Sequence, residues 1–309
     1  MKKLAKSILC LLMLLFTIFN IGCKSDTYYV NSGRNKILKK DYKGAIEDLD
    51  ISIKINSNAW QAYADRALAK EKLNDYESSL LDYSKAIQLN PKEAKLYFLR
   101  GLVKYLYKDT VGTFGDFAIS ISLNHNNAEI YTIRGVLKNA KKEYPNAISD
   151  FDSALIINPN SAEAYASRGD AKYNLKDYKN ALEDYDKAIQ IEPKSPFFLN
   201  ARGRIKIELK DYNNALIDIN KAIEIKPNAA EFYNNLGKLK MELKDYNDAI
   251  TQFSYAIEIK DNYTEAYLNK ADAEIKSAKT QNACLDLNKA KELGDKEAEK
   301  LIKKFCNTK

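Results

Sequence analysis

An aromatic residue recurs at a fixed spacing of 34 residues along almost the whole chain, and this period constrains the fold more than any other feature. Seven of the eight positions are tyrosines and one is a leucine: Tyr29, Tyr63, Tyr97, Tyr131, Tyr165, Leu199, Tyr233 and Tyr267. An unbroken period of this length indicates a supersecondary unit that buries its apolar face on neighbouring copies of itself. The sequence therefore predicts a repeat array rather than a single globular core.

Two series of small residues keep the same period. One series, starting at Gly33, holds only Gly or Ala, and the other, starting at Ala45, holds only Ala, Ser or Thr. Within the fifth period, apolar residues at i, i+3, i+4 and i+7 predict two amphipathic helices, at 162–175 and 177–189. The small residues fall where these helices would meet, and we expect them to let the two backbones approach closely. The predicted unit is therefore a pair of packed helices.

This combination of aromatic and small residues resembles the tetratricopeptide repeat (TPR) family, whose unit is a helix-turn-helix. The resemblance implies an all-α, right-handed α-solenoid of about eight repeats spanning 26–297. The predicted repeats are 26–59, 60–93, 94–127, 128–161, 162–195, 196–229, 230–263 and 264–297. Residues 296–309 are predicted to form a capping helix and tail, because the apolar residues of this segment fall on one face of a helix.

The N-terminal residues 1–22 have the pattern of a secretory signal peptide. Three lysines precede an apolar run at 8–21, which is short for a membrane span. The glycine before Cys23 resembles the cleavage site of bacterial lipoproteins, which implies a lipidated Cys23 and a short linker through residue 25. Asn20 stands where that motif usually has leucine, so ordinary secretion is the alternative. The expected location is the cell envelope, on a lipid anchor that faces the periplasm or the cell surface.

Two cysteines remain outside this N-terminal segment. Cys284 and Cys306 lie at equal sequence distances from a predicted turn at Asp295, so an antiparallel hairpin would place them opposite each other. We predict a disulfide in an oxidising compartment, with two small buried side chains as the alternative. The spacing lacks the close pairs of a zinc site, so no metal site is expected.

Charged residues also follow the repeat. The formal net charge is +7, but without the three lysines of the signal segment 46 basic residues face 42 acidic ones, and this weak bias does not favour a nucleic-acid partner. Each of five arginines has an aspartate sixteen residues later, where antiparallel helices would bring the two together. The pairs are Arg66–Asp82, Arg100–Asp116, Arg134–Asp150, Arg168–Asp184 and Arg202–Asp218. We interpret them as ion pairs within repeats rather than as a ligand site.

The sequence gives little support to catalysis. Its one histidine, His125, replaces a turn proline, and neither a phosphate-binding loop nor a metalloprotease motif is present. The carboxylates recur with the repeat, as structural or solvated groups do. We therefore expect neither enzymatic activity nor a cofactor.

In the TPR family, the residues one, five and eight positions after the recurring aromatic line a concave groove, and the resemblance implies such a groove here. The candidate binding residues are Phe98, Leu102, Tyr105, Thr132, Val136, Asn139, Tyr173, Asn200, Arg204, Asn234 and Lys238. Packing between neighbouring first helices is the alternative role for these side chains. The predicted function is a non-catalytic protein–protein interaction scaffold of the bacterial envelope that binds a peptide segment or partner protein. The alternatives are a glycan- or peptidoglycan-associated accessory protein and a non-catalytic subunit of an envelope enzyme complex.

Overall fold

The computed structural model describes residues 24–306, and this part of the chain consists of helices joined by short turns, without a strand. The seventeen helices are α1 (Asp26–Leu38), α2 (Tyr42–Ile55), α3 (Trp60–Lys72), α4 (Tyr76–Leu89), α5 (Ala94–Leu106), α6 (Thr110–Leu123), α7 (Ala128–Ala140), α8 (Tyr144–Ile157), α9 (Ala162–Asn174), α10 (Tyr178–Ile191), α11 (Pro196–Glu208), α12 (Tyr212–Ile225), α13 (Ala230–Glu242), α14 (Tyr246–Ile259), α15 (Thr264–Lys276), α16 (Thr280–Glu292) and α17 (Lys296–Phe305). None of these helices is both long and apolar enough to cross a membrane. The predicted signal peptide and Cys23 lie outside the described residues.

The helices pack as consecutive pairs within two compact units, divided between residues 130 and 131. In the first unit the pairs are α1 with α2, α3 with α4, and α5 with α6. In the second unit α9 to α16 form four further pairs, and α17 packs on α16. Each pair falls within one 34-residue period. The all-α class and the helix-turn-helix repeat are therefore confirmed.

The turn inside each pair has one recurring geometry. In the sixth repeat Lys210 has a φ of 60°, and the next backbone N–H, that of Asp211, donates to the carbonyl of Lys206 at 2.9 Å. This closure satisfies a carbonyl at the end of the first helix and turns the chain back. Positive φ recurs at Lys40, Asn74, Lys108, Lys142, Lys176, Lys210, Lys244 and Ala278, all between 60° and 66°. The left-handed region favours glycine, but none of these residues is one.

The glycine series leaves room for large side chains of the second helix. A Cβ on Gly237 would lie 2.5 Å from the ring of Phe253, and one on Gly169 would lie 2.9 Å from the ring of Tyr185. Each small residue thus faces a bulky residue sixteen positions later, on the second helix. These bulky residues are buried and form the core of the repeats: Leu49, Tyr83, Phe117, Phe151, Tyr185, Ile219, Phe253 and Leu287. The backbone of the second helix also comes close, because a Cβ on Gly203 would lie 3.2 Å from the backbone oxygen of Ala215.

The predicted ion pairs are confirmed, and the structure adds a lysine to each of them. In the sixth repeat Arg202 donates to Asp218 through Nε at 2.8 Å and Nη2 at 2.7 Å, while Lys206 donates at 2.7 Å. Burial by itself would raise the pKa of Asp218, but the hydrogen bonds from the two cations outweigh burial and lower it. The same triad recurs as Arg66–Asp82–Lys70, Arg100–Asp116–Lys104, Arg134–Asp150–Lys138 and Arg168–Asp184–Lys172.

The arginines also connect neighbouring repeats. Nη1 of Arg202 lies 2.8 Å from Asp186 on the second helix of the preceding repeat, and Arg66 and Arg168 make the equivalent bonds to Asp50 and Asp152 at 2.6 Å. The arginine series is therefore not confined to single repeats. A planar guanidinium with five donors can bind two carboxylates at once, and this explains why arginine rather than lysine occupies the position.

The C-terminal helix is tied to the last repeat by covalent and apolar contacts. A disulfide joins Cys284 in α16 to Cys306 at the end of α17, with the two Cα atoms 5.7 Å apart. Leu301 and Ile302 of α17 pack against the buried cluster that contains Leu287. The apolar face noted in the sequence is thus the face by which α17 covers the array.

Candidate functional site

Within the second unit, residues from successive first helices line one cavity of about 300 Å³. Tyr173 of α9, Arg204 and Ile207 of α11, and Lys238 and Met241 of α13 contribute to its wall. Each of these five residues occupies position five or eight after the recurring aromatic. The repeat geometry therefore brings Tyr173, Arg204 and Lys238, three of the predicted binding residues, to a common surface.

Arg204 is the most constrained cation of this cavity. Its Nη2 donates to Asp170 at 3.0 Å, and its guanidinium carbon lies 4.2 Å from the centre of the Tyr173 ring. Burial opposes the charged form, but the nearby Asp170 carboxylate outweighs burial and raises the pKa of Arg204. Nε is buried and has no hydrogen-bond partner. The guanidinium is therefore charged, held in place and short of one acceptor.

Tyr173 supplies a neutral hydroxyl at the edge of the cavity. Its hydroxyl donates to Glu208 at 3.1 Å. Burial raises the pKa of Tyr173 to about 12, with Arg204 lowering it and Glu208 raising it. The ring is also 5.4 Å from the ring of Tyr178. Tyr173 therefore stays protonated near neutral pH, and both Arg204 and Tyr178 contact its ring.

The remaining charges of the wall are balanced. Lys238 forms an ion pair with Glu265, and Lys276 forms one with Asp272 at 2.8 Å. Three cations therefore line the cavity together with three carboxylates: Arg204, Lys238 and Lys276 with Glu208, Glu242 and Asp272. Such a wall offers donors and acceptors in similar numbers and suits a ligand that carries both.

Asn200 and Asn234 do not point into this cavity as free groups. They are only 2% and 1% exposed, and their Oδ1 atoms accept from Asn235 at 3.1 Å and from Asn269 at 3.0 Å, respectively. These amide bonds join neighbouring first helices of the second unit. For this pair the structure favours the alternative role, packing between neighbouring first helices, because a buried amide must have its hydrogen bonds satisfied and the adjacent helix provides them.

The aromatic and apolar candidates of the third repeat divide in the same way. Phe98 is 5% exposed and its ring centre lies 5.8 Å from that of Phe117, so it belongs to the core rather than to a groove. Leu102 is half-buried, whereas Tyr105 is 50% exposed. Among these three residues, only Tyr105 is exposed enough to contact a partner.

The candidates of the fourth repeat lie at the start of the second unit. Thr132 is buried, Val136 is exposed, and Asn139 is half-buried. The Oδ1 atom of Asn139 is buried without a hydrogen-bond partner. Of the candidates in the third and fourth repeats, only Tyr105 and Val136 are exposed.

The first unit contains an apolar pocket that was not among the predicted sites. It encloses about 350 Å³, and its apolar wall includes Trp60, Ala64, Leu68, Leu96 and Leu99. Ala64 and Leu68 hold groove positions in the family frame, but Trp60 begins α3 and falls outside that frame. For Trp60, the only feature of the sequence that could have drawn attention to it is that it is the single tryptophan of the chain.

The arrangement of polar groups does not mark a reaction centre. Among residues 24–306 no three His, Cys, Asp or Glu side chains come close enough together to hold a metal ion. The charged groups of the cavity are engaged with one another in ion pairs and tyrosine hydrogen bonds. The surface offers hydrogen-bond donors and acceptors to a ligand.

Solved structures similar to this chain are repeat proteins. A tetratricopeptide repeat protein from Parabacteroides merdae ATCC 43184 has a TM-score of 0.60 at 18% identity, covering 80% of this chain and 98% of its own. A chain of the APC/C hetero-tetramer Cut9–Hcn1 has a TM-score of 0.62 at 16% identity, covering 85% and 52%. PilF of Pseudomonas aeruginosa has a TM-score of 0.59 at 15% identity, covering 70% and 98%. At these identities the likeness concerns the fold alone. No curated protein matches the sequence.

Family models match four segments of the sequence. Residues 162–195 match a model described as tetratricopeptide repeat, as do 198–229 and 230–263, and residues 71–106 match a model described as TPR repeat. The matched segments lie in both structural units. Three of them coincide with helix pairs, and 71–106 covers α4 and α5, which belong to successive pairs. These matches, together with the repeated helix-turn-helix fold, show that the chain contains tetratricopeptide repeats.

Proposed function

We propose that this TPR protein is a non-catalytic scaffold that binds a polypeptide segment of a partner protein in the cavity of its second unit. The observation that carries the proposal is the convergence of Tyr173, Arg204, Lys238 and Met241 from three successive first helices on one wall. Side chains at equivalent positions of successive repeats form a continuous surface, and extended surfaces of this kind are what repeat arrays use for binding.

The chemistry of the wall favours a peptide that combines apolar and polar side chains. Ile207 and Met241 provide apolar contact, and methionine adapts to different side-chain shapes. The unpartnered Nε of Arg204 is a donor that a backbone carbonyl or a carboxylate of the ligand can satisfy. A glycan is less well supported, because a sugar would stack on a free aromatic face, and the ring of Tyr173 is already contacted by Arg204 and Tyr178.

The proposal can be tested with peptides selected from a random display library on the mature chain. Binding of the selected peptides is then compared between the wild type, the double variant Tyr173→Ala/Met241→Ala, and the control Ile217→Ala/Leu285→Ala. The control side chains are exposed on second helices of the same unit. We expect the cavity variant to weaken binding at least about tenfold, since central aromatic and apolar contacts are each worth about 1 kcal/mol or more. Unchanged affinity of the cavity variant would refute the assignment.

We further propose that the scaffold operates in the bacterial cell envelope on a lipidated Cys23. The support is the sequence pattern of lysines, apolar run and Gly22-Cys23. Two or three acyl chains on Cys23 would provide stable anchoring. Mass spectrometry of the mature N-terminus tests this proposal directly. An acylated Cys23 in the wild type and a soluble, unacylated Cys23→Ser variant are expected, while an unmodified mature N-terminus that starts elsewhere would point to ordinary secretion.

A further inference from the structure

In the last repeat, one position of the ion-pair network carries a side chain of the opposite charge. The position lies seven residues after the recurring aromatic, on the first helix. In the first seven repeats it is always lysine: Lys36, Lys70, Lys104, Lys138, Lys172, Lys206 and Lys240. In the eighth repeat it is Glu274. The partner arginine is also replaced, by Lys270, while the aspartate of the second helix is kept as Asp286. Two carboxylates and one ammonium therefore stand where the second to sixth repeats have one carboxylate and two cations.

The three groups of the eighth repeat lie close together and are shielded from water. Nζ of Lys270 is 3.0 Å from Oδ2 of Asp286 and 3.9 Å from Oε1 of Glu274. Glu274 is only 3% exposed, and its Oε2 is buried without a hydrogen-bond partner. The ammonium thus binds Asp286 well and leaves Glu274 poorly compensated.

The neighbouring elements supply little further charge. Lys279 of the turn between α15 and α16 is the other nearby cation. At the position where Asp186 of an earlier repeat binds an arginine, α14 carries the uncharged Ser254. From the C-terminal side, α17 contributes the apolar Leu301 and Ile302 to the buried cluster of this repeat.

We propose that Glu274 and Asp286 share one proton, and that loss of this proton loosens α15 from α16, so that the last repeat forms a pH-sensitive end of the array. Two carboxylates this close in a low-dielectric setting resist ionising together. A protonated Glu274 donates a hydrogen bond to Asp286 and satisfies its own buried oxygen. Ionised Glu274 has neither this bond nor a cation of its own. The proposal concerns the last repeat and does not depend on the peptide cavity.

The direction of the pH effect follows from linkage. The pKa of Glu274 is raised to about 7, because burial and the Asp286 carboxylate, which raise it, outweigh Lys270 and Lys279, which lower it. An unfolded glutamate titrates near pH 4.3, so between about pH 4.3 and 7 the folded state binds more protons than the unfolded state. Stability of the last repeat is therefore highest in acid, falls as the pH rises through this window, and is level above it. The disulfide between Cys284 and Cys306 keeps α17 attached to α16 throughout.

Hydrogen exchange of the full mature chain, with the disulfide intact, tests the proposal. Protection of residues 264–292 is measured from pH 5.5 to 8.5 after correction for the intrinsic exchange rate. We expect protection in the wild type to fall at least about tenfold over this range. Glu274→Gln, which cannot ionise, is expected to keep its protection at every pH, as is Glu274→Lys, which restores the residue of the other repeats. Glu292→Gln is the matched control, because Glu292 lies in the same repeat but is exposed and outside the cavity, and it should follow the wild-type profile.

Two results would overturn the proposal. One is a wild-type protection that does not change with pH, and the other is a pH dependence that persists in Glu274→Gln. A carbon-13 titration of the glutamate carboxyls gives a second check. It is measured on the wild type, and Glu274→Gln serves only to assign the resonance. A resonance with a midpoint near pH 7 that is missing in Glu274→Gln supports the shared proton, and midpoints that all lie near 4.3 contradict it.

Discussion

Asp218 should be the most sensitive member of the ion-pair triad in the sixth repeat. Asp218→Gln removes the acceptor of three charge-assisted hydrogen bonds and leaves two cations side by side, whereas Arg202→Leu leaves the pair of Asp218 and Lys206 intact. Removing one partner of a buried pair costs about 3–5 kcal/mol, and Arg202 keeps its second bond, to Asp186, so we expect about 3 kcal/mol for Asp218→Gln. For Arg202→Leu we expect about 1.5 kcal/mol.

The double variant should cost less than the sum of the two single variants. The seventh repeat has already made both replacements, with Leu236 at the arginine position and Gln252 at the aspartate position, and it keeps the same fold. Arg202→Leu/Asp218→Gln copies that solution. It leaves Lys206 and the exposed Asp186 without these partners, but it removes both the arginine and the buried aspartate of the triad. We expect a loss of about 2 kcal/mol, because an apolar replacement of a buried ion pair avoids the desolvation that the pair requires.

Urea unfolding followed by far-ultraviolet circular dichroism measures these differences on the wild type, the two single variants and the double variant. A nearest-neighbour model of repeat stability is the suitable analysis, because a long repeat array need not unfold in one step. Additive losses in the double variant would refute the reasoning. A larger loss for Arg202→Leu than for Asp218→Gln would refute the assignment of Asp218 as the centre of the triad.

Two further predictions concern backbone and covalent stabilisation. Gly115→Ala should raise the melting temperature, because a Cβ there meets nothing within 4 Å and alanine is favoured over glycine in a helix by about 1 kcal/mol. Gly237→Ala is the matched comparison and should lower it, because its Cβ would lie 2.5 Å from the buried ring of Phe253; equal melting temperatures would contradict the packing argument. Replacing Cys284 and Cys306 by serine opens a loop of 22 residues and should destabilise the last repeat by about 3 kcal/mol, seen as faster exchange of α17 amides. Unchanged exchange would show that apolar packing alone holds the helix.

Several long-range features could be predicted from spacing because they repeat. An amphipathic period of 3.6 residues identifies each helix, and an antiparallel pair places residues sixteen positions apart beside each other, as for Arg66 and Asp82. The same argument joined Cys284 to Cys306 across the turn before α17. In contrast, the left-handed residue of each turn could not be recognised, because lysine and asparagine occupy a position where glycine is the usual signal.

The candidate site was less predictable, since residues that were all assigned to the groove have different environments. Tyr173 and Phe98 are both aromatic residues in first helices and both were assigned to a groove, but one lines the cavity and the other packs on Phe117. Asn200 and Asn234 have the polarity of binding residues, but the amides of adjacent helices bind them. Polarity alone does not show which side chains remain accessible.

The sequence by itself determined the repeat, its helix pairs and its ion-pair partners, because these depend on local periodicity and on the fixed geometry of a helical hairpin. The tertiary structure decided which side chains line the cavity, which are buried between helices, and how poorly Glu274 is compensated. The physical reason is that exposure and electrostatic environment depend on the rotation of each helix and on the residues that neighbouring repeats place against it. Neither quantity is contained in the spacing of residues within one repeat.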